Sequence, residues 1–443
     1  MTLFLLIPAA LAVWFMIFRT TQSALLNVYV PTLLLFPLYF QWRLKGLPPL
    51  DPTQAVMLVF FVFILLRHRR ELYFSSTDVW VLIFVYGIGI SEMLHSGLRS
   101  GIFVLFNDFV SALLPYYIGK LFIEQYGMRT AMLKRLCFLL FLVAFASAYE
   151  YRMTINPYHT YLGPYFPGQA DTWIIQMRWG RARASGPYGH AIIAGMMFLS
   201  GVILNFWLVR TKKWEPNFRF LVLPYIRKSV LITLGLLFGI YATQSRGPWL
   251  GVLFGFAVAL IGLAHNTKIA FIRFIIGATL IFSFAYPFVQ DYTSIKVPGL
   301  VQDPEQQDAV YRRQLIDNYT PVVEAGGFWG WGSNFPVVKN QYSIDNEYLL
   351  LGITRGYLGL SVFILLAGDA IFTLTRTGIR FRSRDDRLFA FCMIGVLAGV
   401  LFAITTVYLG YQMFDLFFLL MGWSQAIGRK KPEPFPAFEK VYV

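Results

Sequence analysis

Cysteine is nearly missing from this chain: its 443 residues include two, Cys137 and Cys392, both inside apolar stretches. That excludes a disulfide framework. Histidines, cysteines and carboxylates nowhere cluster at metal-ligating spacing, so neither a metal site nor a cofactor is expected. No glycine-rich phosphate loop follows a strand, no internal repeat is visible, and no polar stretch amounts to a soluble domain. A basic region ahead of the first apolar run is also lacking, as is a cleavage site after it. That run therefore reads as a retained helix rather than a signal peptide.

What is present is apolar. Hydrophobic residues make up 57% of the chain and the mean hydropathy is +0.57. A soluble core stops growing at roughly 250–300 residues and could not hide that surface. The apolar residues fall in blocks of roughly 17–25, the length that crosses the hydrocarbon of a bilayer as helix. The expectation is an all-α, polytopic transmembrane helical bundle forming a single membrane domain over residues 1–443. Candidate spans are 3–18, 25–41, 54–66, 77–91, 102–123, 133–149, 188–209, 229–244, 247–264, 269–288, 346–374, 388–404 and 408–427. The third is short and 388–427 divides in more than one way, so twelve to thirteen spans are expected.

A formal charge of +15 raises the question of nucleic acid, but the position of the charge answers it. Lys and Arg concentrate in short segments between apolar blocks: RHRR at 67–70, 120–135, 210–228, 376–387 and the tail from Arg429. One alternation of spans puts all of them in the cytoplasm, as the positive-inside rule requires. Two long segments, 150–187 and 289–345, then share the opposite face. Connections of that length are more often functional than passive, and chemistry on that face has no ATP to draw on. The Pro-rich end, KKPEPFPAFEKVYV, reads as disordered.

Both outer segments carry arginine where the rule depletes it. Arg178, Arg181 and Arg183 lie in MRWGRARASGPYGH, with Arg183 beside a Gly-Pro turn. Arg246 stands in SRGPW, where two apolar spans meet at the membrane boundary, opening a helix whose N-terminus favours anions. Arg312 and Arg313 follow Tyr311 in the second segment. The guanidinium fork donates parallel charge-assisted hydrogen bonds to phosphate; headgroup anchoring is the plainer alternative. The stretch GGFWGWGSNF places Trp329 and Trp331 among glycines, either as a sugar-stacking platform or as an interfacial belt. Tyr342 lies just beyond. Asp345 and Glu347 stand at the entrance to the next span, as acid–base groups or as helix N-terminal acids. Asp108, Asp369 and Asp415 fall in apolar spans and should face inward. His190 reads as a packed, hydrogen-bonded histidine.

Taken in order, these motifs resemble the O-antigen ligase and O-antigen or exopolysaccharide polymerase family. The ligase signature is His, then Asn, Ser or Gln, nine residues, Gly, two residues, Gly. Here Asp345 and Asn346 precede nine residues, Gly356, two residues and Gly359, so the spacing matches and Asp345 replaces the histidine. The polymerase pattern of arginine, ten residues and glycine is met by Arg178 and Gly189. The resemblance covers approximately 178–360 and implies a membrane glycosyltransferase of the GT-C type. It would be multi-pass in a bacterial inner membrane, inverting and metal-independent. The donor would be a glycan on undecaprenyl pyrophosphate, held by Arg183, Arg246 and Arg313 with Arg178 and Arg312 nearby. Trp329, Trp331 and Tyr342 would meet sugar, and Asp345 or Glu347 would act on the acceptor hydroxyl. Asp345 in place of histidine favours a polymerase over a lipid A-core ligase or a protein O-glycosyltransferase. Partners would be the lipid-linked donor, a glycan acceptor, membrane lipid and a chain-length regulator. The rival class is a polysaccharide or lipid transporter, which would show related halves or helices broken in mid-membrane; the sequence displays neither.

The topology has a direct test. Single cysteines at Gln169 and Gln306 should react with an impermeant thiol reagent in cells whose outer membrane alone is permeabilised. Labelling that requires breaking the inner membrane would invert the arrangement.

Overall fold

The computed structural model describes residues 2–169, 175–218, 226–294, 304–339, 341 and 343–429. They form helices and one two-residue hairpin, β1 (Met177–Arg178) with β2 (Arg181–Ala182). Eight helices are long and apolar enough to cross a membrane. These are α3 (Pro52–Glu71), α4 (Ser76–Ser96), α5 (Leu98–Ile123), α6 (Arg129–Met153), α8 (Ala191–Arg210), α11 (Thr267–Thr293), α13 (Glu347–Arg380) and α14 (Arg384–Ala403). Shorter apolar helices are α1 (Leu3–Phe18), α9 (Lys228–Ala242) and α10 (Arg246–Ile261). Residues 21–35 (α2) and α15 (Tyr411–Ala426) complete the alternation. The chain is a multi-pass, all-α membrane protein. Many large apolar side chains are exposed, those of α11 above all, as lipid-facing surface should be.

Small residues set the closest packing. Gly251 and Gly255 of α10 face Gly395 and Gly399 of α14; a Cβ on Gly251 would lie 2.7 Å from the Gly399 carbonyl oxygen. Glycines four apart let two backbones touch, the device that joins helices where no hydrophobic force separates helix from lipid. Helix starts are capped in the sequence itself. Asp51 and Gln54 exchange hydrogen bonds at the head of α3, and Asn346 accepts from the Leu349 N–H at the head of α13.

The basic segments gather at one end of the bundle. Arg67 donates to the Met16 carbonyl, Arg129 joins Glu124 and Asp386, and Arg429 stacks on Tyr73. Lys134 and Lys228 share Glu215. Lys120 is buried on Asp78 at 2.5 Å. The pair survives burial because Tyr116, Ser75 and the Tyr73 carbonyl complete its hydrogen bonds. Both long intervening segments lie at the opposite end.

Those segments are more ordered than bare connections. α6 runs on to Met153, and α7 (Pro157–Leu162) follows it. In the second segment α11 continues to Thr293, and α12 (Pro304–Gly326) fills much of what reads as loop. The short third span also lengthens, 54–66 becoming Pro52–Glu71.

Nor is every span unbroken, contrary to the sequence reading. α13 is interrupted at Gly356, whose φ is +64°. The stretch 327–332 fills the break: Trp331 and Gly332 donate to the carbonyls of Ile353 and Thr354, and Tyr357 and Leu358 donate to those of Gly327 and Phe328. Side chains are excluded at the crossing. A Cβ on Gly356 would lie 2.5 Å from two carbonyl oxygens, and one on Gly330 would run into the Gly356 and Arg355 amides. Gly356→Ala should therefore cost at least about 2 kcal/mol, from left-handed strain plus forced separation of the strands. A fall in the melting temperature of the purified protein, without loss of helix content in the cold, is the expected signature.

Candidate functional site

The site begins with one buried carboxylate. Glu150, near the end of α6, accepts hydrogen bonds from the Ser185 and Gly186 amides, the Ser185 hydroxyl and the Asn156 amide at 2.8–3.0 Å. It fixes the 185–187 turn and thereby the hairpin leading into it. The hairpin docks on the turn between α9 and α10, the Ala184 N–H donating to the Ala242 carbonyl.

This docking aims the arginines. Arg183 donates to the Ser245 hydroxyl at 3.0 Å, to the Gln176 amide oxygen at 2.7 Å and to the Thr243 carbonyl at 3.4 Å. Arg178 donates to the Gln244 carbonyl at 3.0 Å and pairs with Asp308 of α12 at 3.1 Å. Arg246 opens α10, its guanidinium 6.0 Å from the Trp179 ring that also faces Arg178 at 5.9 Å. One turn along α12 from Asp308, Arg312 is in electrostatic reach of Arg178, Arg246 and Asp345. Four guanidiniums from three segments thus gather with Asp308 and Asp345, the carboxylates near them among the described residues. Burial, then the Arg178 charge, lowers the Arg183 pKa to about 10. A bound anion would relieve that repulsion.

Asp345 sits half-buried with its carboxylate accepting from the Ser343 hydroxyl at 2.7 Å. Its charge reaches Arg183, His190 and Arg312. His190 caps α8, its Nδ1 accepting from the Ile192 N–H at 3.2 Å. In the neutral ring that leaves the proton on Nε2. A cavity of about 300 Å³ opens beside Arg183 and His190, with Tyr39, His159 and Tyr411 on its walls.

Other sequence candidates lie apart. Arg313 points toward α11, donating to the Gln290 carbonyl and the Thr293 hydroxyl, with Asp317 at 3.8 Å. Glu347 is buried and latches the head of α13 to the turn before α15, accepting from the Leu409 N–H at 2.7 Å. Trp331 donates to the Val322 carbonyl and packs under α12. Trp329 lies in the stretch that seals the α13 break, its carbonyl accepting from Ser91. Tyr342 is outside the described residues.

Glu150, Gln176, Tyr39, His159, Asp308 and Tyr411 were not singled out from the sequence. Only Glu150 left a signal there, as an acid at the outer end of a span. Glu92, buried in α4, also escaped notice. It gathers Arg355 at 2.7 Å and the Ser333 amide at 2.9 Å, tying the α13 break to the stretch that fills it.

A family model described as O-antigen ligase matches residues 230–364, from α9 into α13. The segment belongs to the O-antigen ligase family. The chain is thereby a membrane glycosyltransferase-type enzyme, polymerase or ligase, acting on a lipid-linked glycan and an acceptor. No curated protein matches the chain. The O-antigen ligase segment contributes Arg246, Arg312, Asp345 and the Gly356 break; Arg178 and Arg183 come from outside it.

Both site histidines are sensitive to acid. Burial lowers His159 to about 4, and burial together with Arg183 lowers His190 to about 4, from an ordinary 6.5. The folded protein keeps them neutral where the unfolded chain takes up protons. Their contribution to stability is therefore whole above pH 6.5 and is lost as the pH falls toward 4. His159→Gln combined with His190→Asn, which retains a helix cap, should flatten that limb of a melting-temperature-against-pH profile.

Proposed function

We propose that the chain polymerises oligosaccharide repeat units carried on a lipid pyrophosphate, undecaprenyl in a bacterial inner membrane, by inverting transfer at the arginine-bearing face. The observation that supports this is the convergence of Arg178, Arg183, Arg246 and Arg312 with Asp345 in reach. The pyrophosphate of the donor rests among the guanidiniums and the N-terminus of α10. The acceptor hydroxyl oxygen attacks the anomeric carbon from the face opposite the phosphate. As the carbon–oxygen bond to phosphate breaks, the electron pair leaves with the pyrophosphate, and charge develops where the arginines already stand. Asp345 takes the hydroxyl proton. The anomeric centre inverts.

Transfer to a lipid A core, the ligase reading, keeps the donor half of this scheme and changes only the acceptor. The family description favours it, whereas aspartate in place of the signature histidine favours polymerisation.

With purified protein and a lipid-pyrophosphate repeat unit, alanine at Arg178, Arg183, Arg246 or Arg312 should each cost at least about 2 kcal/mol in kcat/KM. Lysine should rescue in part. Arg313→Ala, turned toward Gln290, should cost less. Asp345→Asn should slow transfer about 10²–10⁴-fold, the contribution of a general base. Normal chain lengths from all of these variants would eliminate the scheme, and transfer only to lipid A core would replace polymerase by ligase.

A further inference from the structure

We propose that the cavity beside Arg183 is a glycosyl subsite, in which Tyr411 with Tyr39 and His159 cradles the pyranose ring next to the reacting bond. The inference rests on the function proposed above, because Arg183 lines this cavity and also belongs to the arginine cluster. A pyrophosphate held there delivers its first sugar, or meets the attacking sugar, at the cavity mouth.

The walls have the shape and chemistry for a sugar ring. Tyr39 and His159 lie parallel, 10° apart with centroids at 5.0 Å, and Tyr411 stands across Tyr39 at 89° and 6.4 Å. Tyr39 and His159 stack on each other, so what the corner has for the apolar faces of a pyranose is the Tyr411 ring and the outer side of that stack. Burial keeps the His159 ring neutral at physiological pH. Gln176 and Ser185 also line it, bonded to Arg183 and Glu150, and Gln169 is held in place by two hydrogen bonds to the Gln41 backbone. At about 300 Å³ the cavity has room for one or two rings rather than a whole repeat unit, at the small end of ligand pockets, which run from roughly 300 to 1,000 Å³.

Tyr411 carries the strongest mark. Its φ of +49° is left-handed, a conformation that a bulky residue rarely adopts and that clusters at functional sites. The ring lies on Gly189, where a Cβ would stand 2.8 Å from Tyr411 Cε2. Gly189 is left-handed as well, with φ +64°. The turn before α8 and the start of α15 are thus shaped around this one ring, yet Tyr411 remains 37% exposed.

The occupant is a glycosyl unit of the donor or of the acceptor, and kinetics distinguish them. Tyr411→Ala should raise KM about tenfold for the glycan that occupies the subsite, the loss of one stacked face. Tyr411→Phe, which keeps the ring, should recover most of that loss in KM. If the donor sugar sits there, Tyr411→Ala weakens binding of the glycan-bearing lipid but not of bare undecaprenyl pyrophosphate. An acceptor sugar would move the acceptor KM alone. His159→Leu tests the opposite wall should Tyr411→Ala unfold. Unchanged KM values for donor and acceptor in a folded Tyr411→Ala or His159→Leu protein would overturn the subsite. Undiminished binding of bare undecaprenyl pyrophosphate by Arg183→Ala would instead count against the arginine cluster, whatever the Tyr411 variants do.

Discussion

A helix may break inside a membrane protein only if something replaces the hydrogen bonds it gives up. In α13 the replacement is backbone from 327–332, laid across the break at Gly356 so closely that Gly330 and Gly356 leave no space for side chains. Much of the arginine-bearing face depends on this crossing. It holds the end of α12, hence Asp308 and Arg312, against the head of α13, where Asp345 and Asn346 stand. The glycine spacing shared with the ligase signature thereby acquires a physical meaning. Gly356 is the break, and at Gly359 a Cβ would collide with the Arg355 side chain.

Charge on the arginine-bearing face follows a different rule from charge at the basic end. Lys120 and Arg129 are matched by carboxylates and are structural. Arg178 and Arg183 are held mainly by backbone carbonyls and neutral side chains, those of the 243–245 turn and Gln176, with Asp308 pairing Arg178. Carbonyls orient guanidiniums without cancelling their charge. Such an arrangement stores attraction for an anion, and it is preorganised, so little rearrangement is required when negative charge develops.

The acids divide in the same way. Glu150, Glu92 and Glu347 are consumed by backbone amides, hydroxyls and Arg355, and shape the site from behind. Asp345 alone among the outer acids of α13's entrance faces the cationic cluster. A difference of two positions separates a latch from an acid that faces the arginines.

The sequence by itself determined the membrane class, the alternation of spans and the gathering of basic segments at one end, because hydropathy and positive charge act locally, residue by residue. It also determined the spacing of Asp345, Gly356 and Gly359, and which segments would carry arginine at the end opposite the basic segments. Tertiary structure alone decided which arginines converge. Neighbours on a helix point about 100° apart, so Arg312 faces the cluster and Arg313 turns to α11. Tertiary structure also made the backbone around Trp329 and Trp331 the seal of a broken helix. It assembled an aromatic corner from Tyr39, His159 and Tyr411, residues separated by more than a hundred positions in sequence. No local pattern encodes a wall built from three distant segments; that is settled only when the bundle packs.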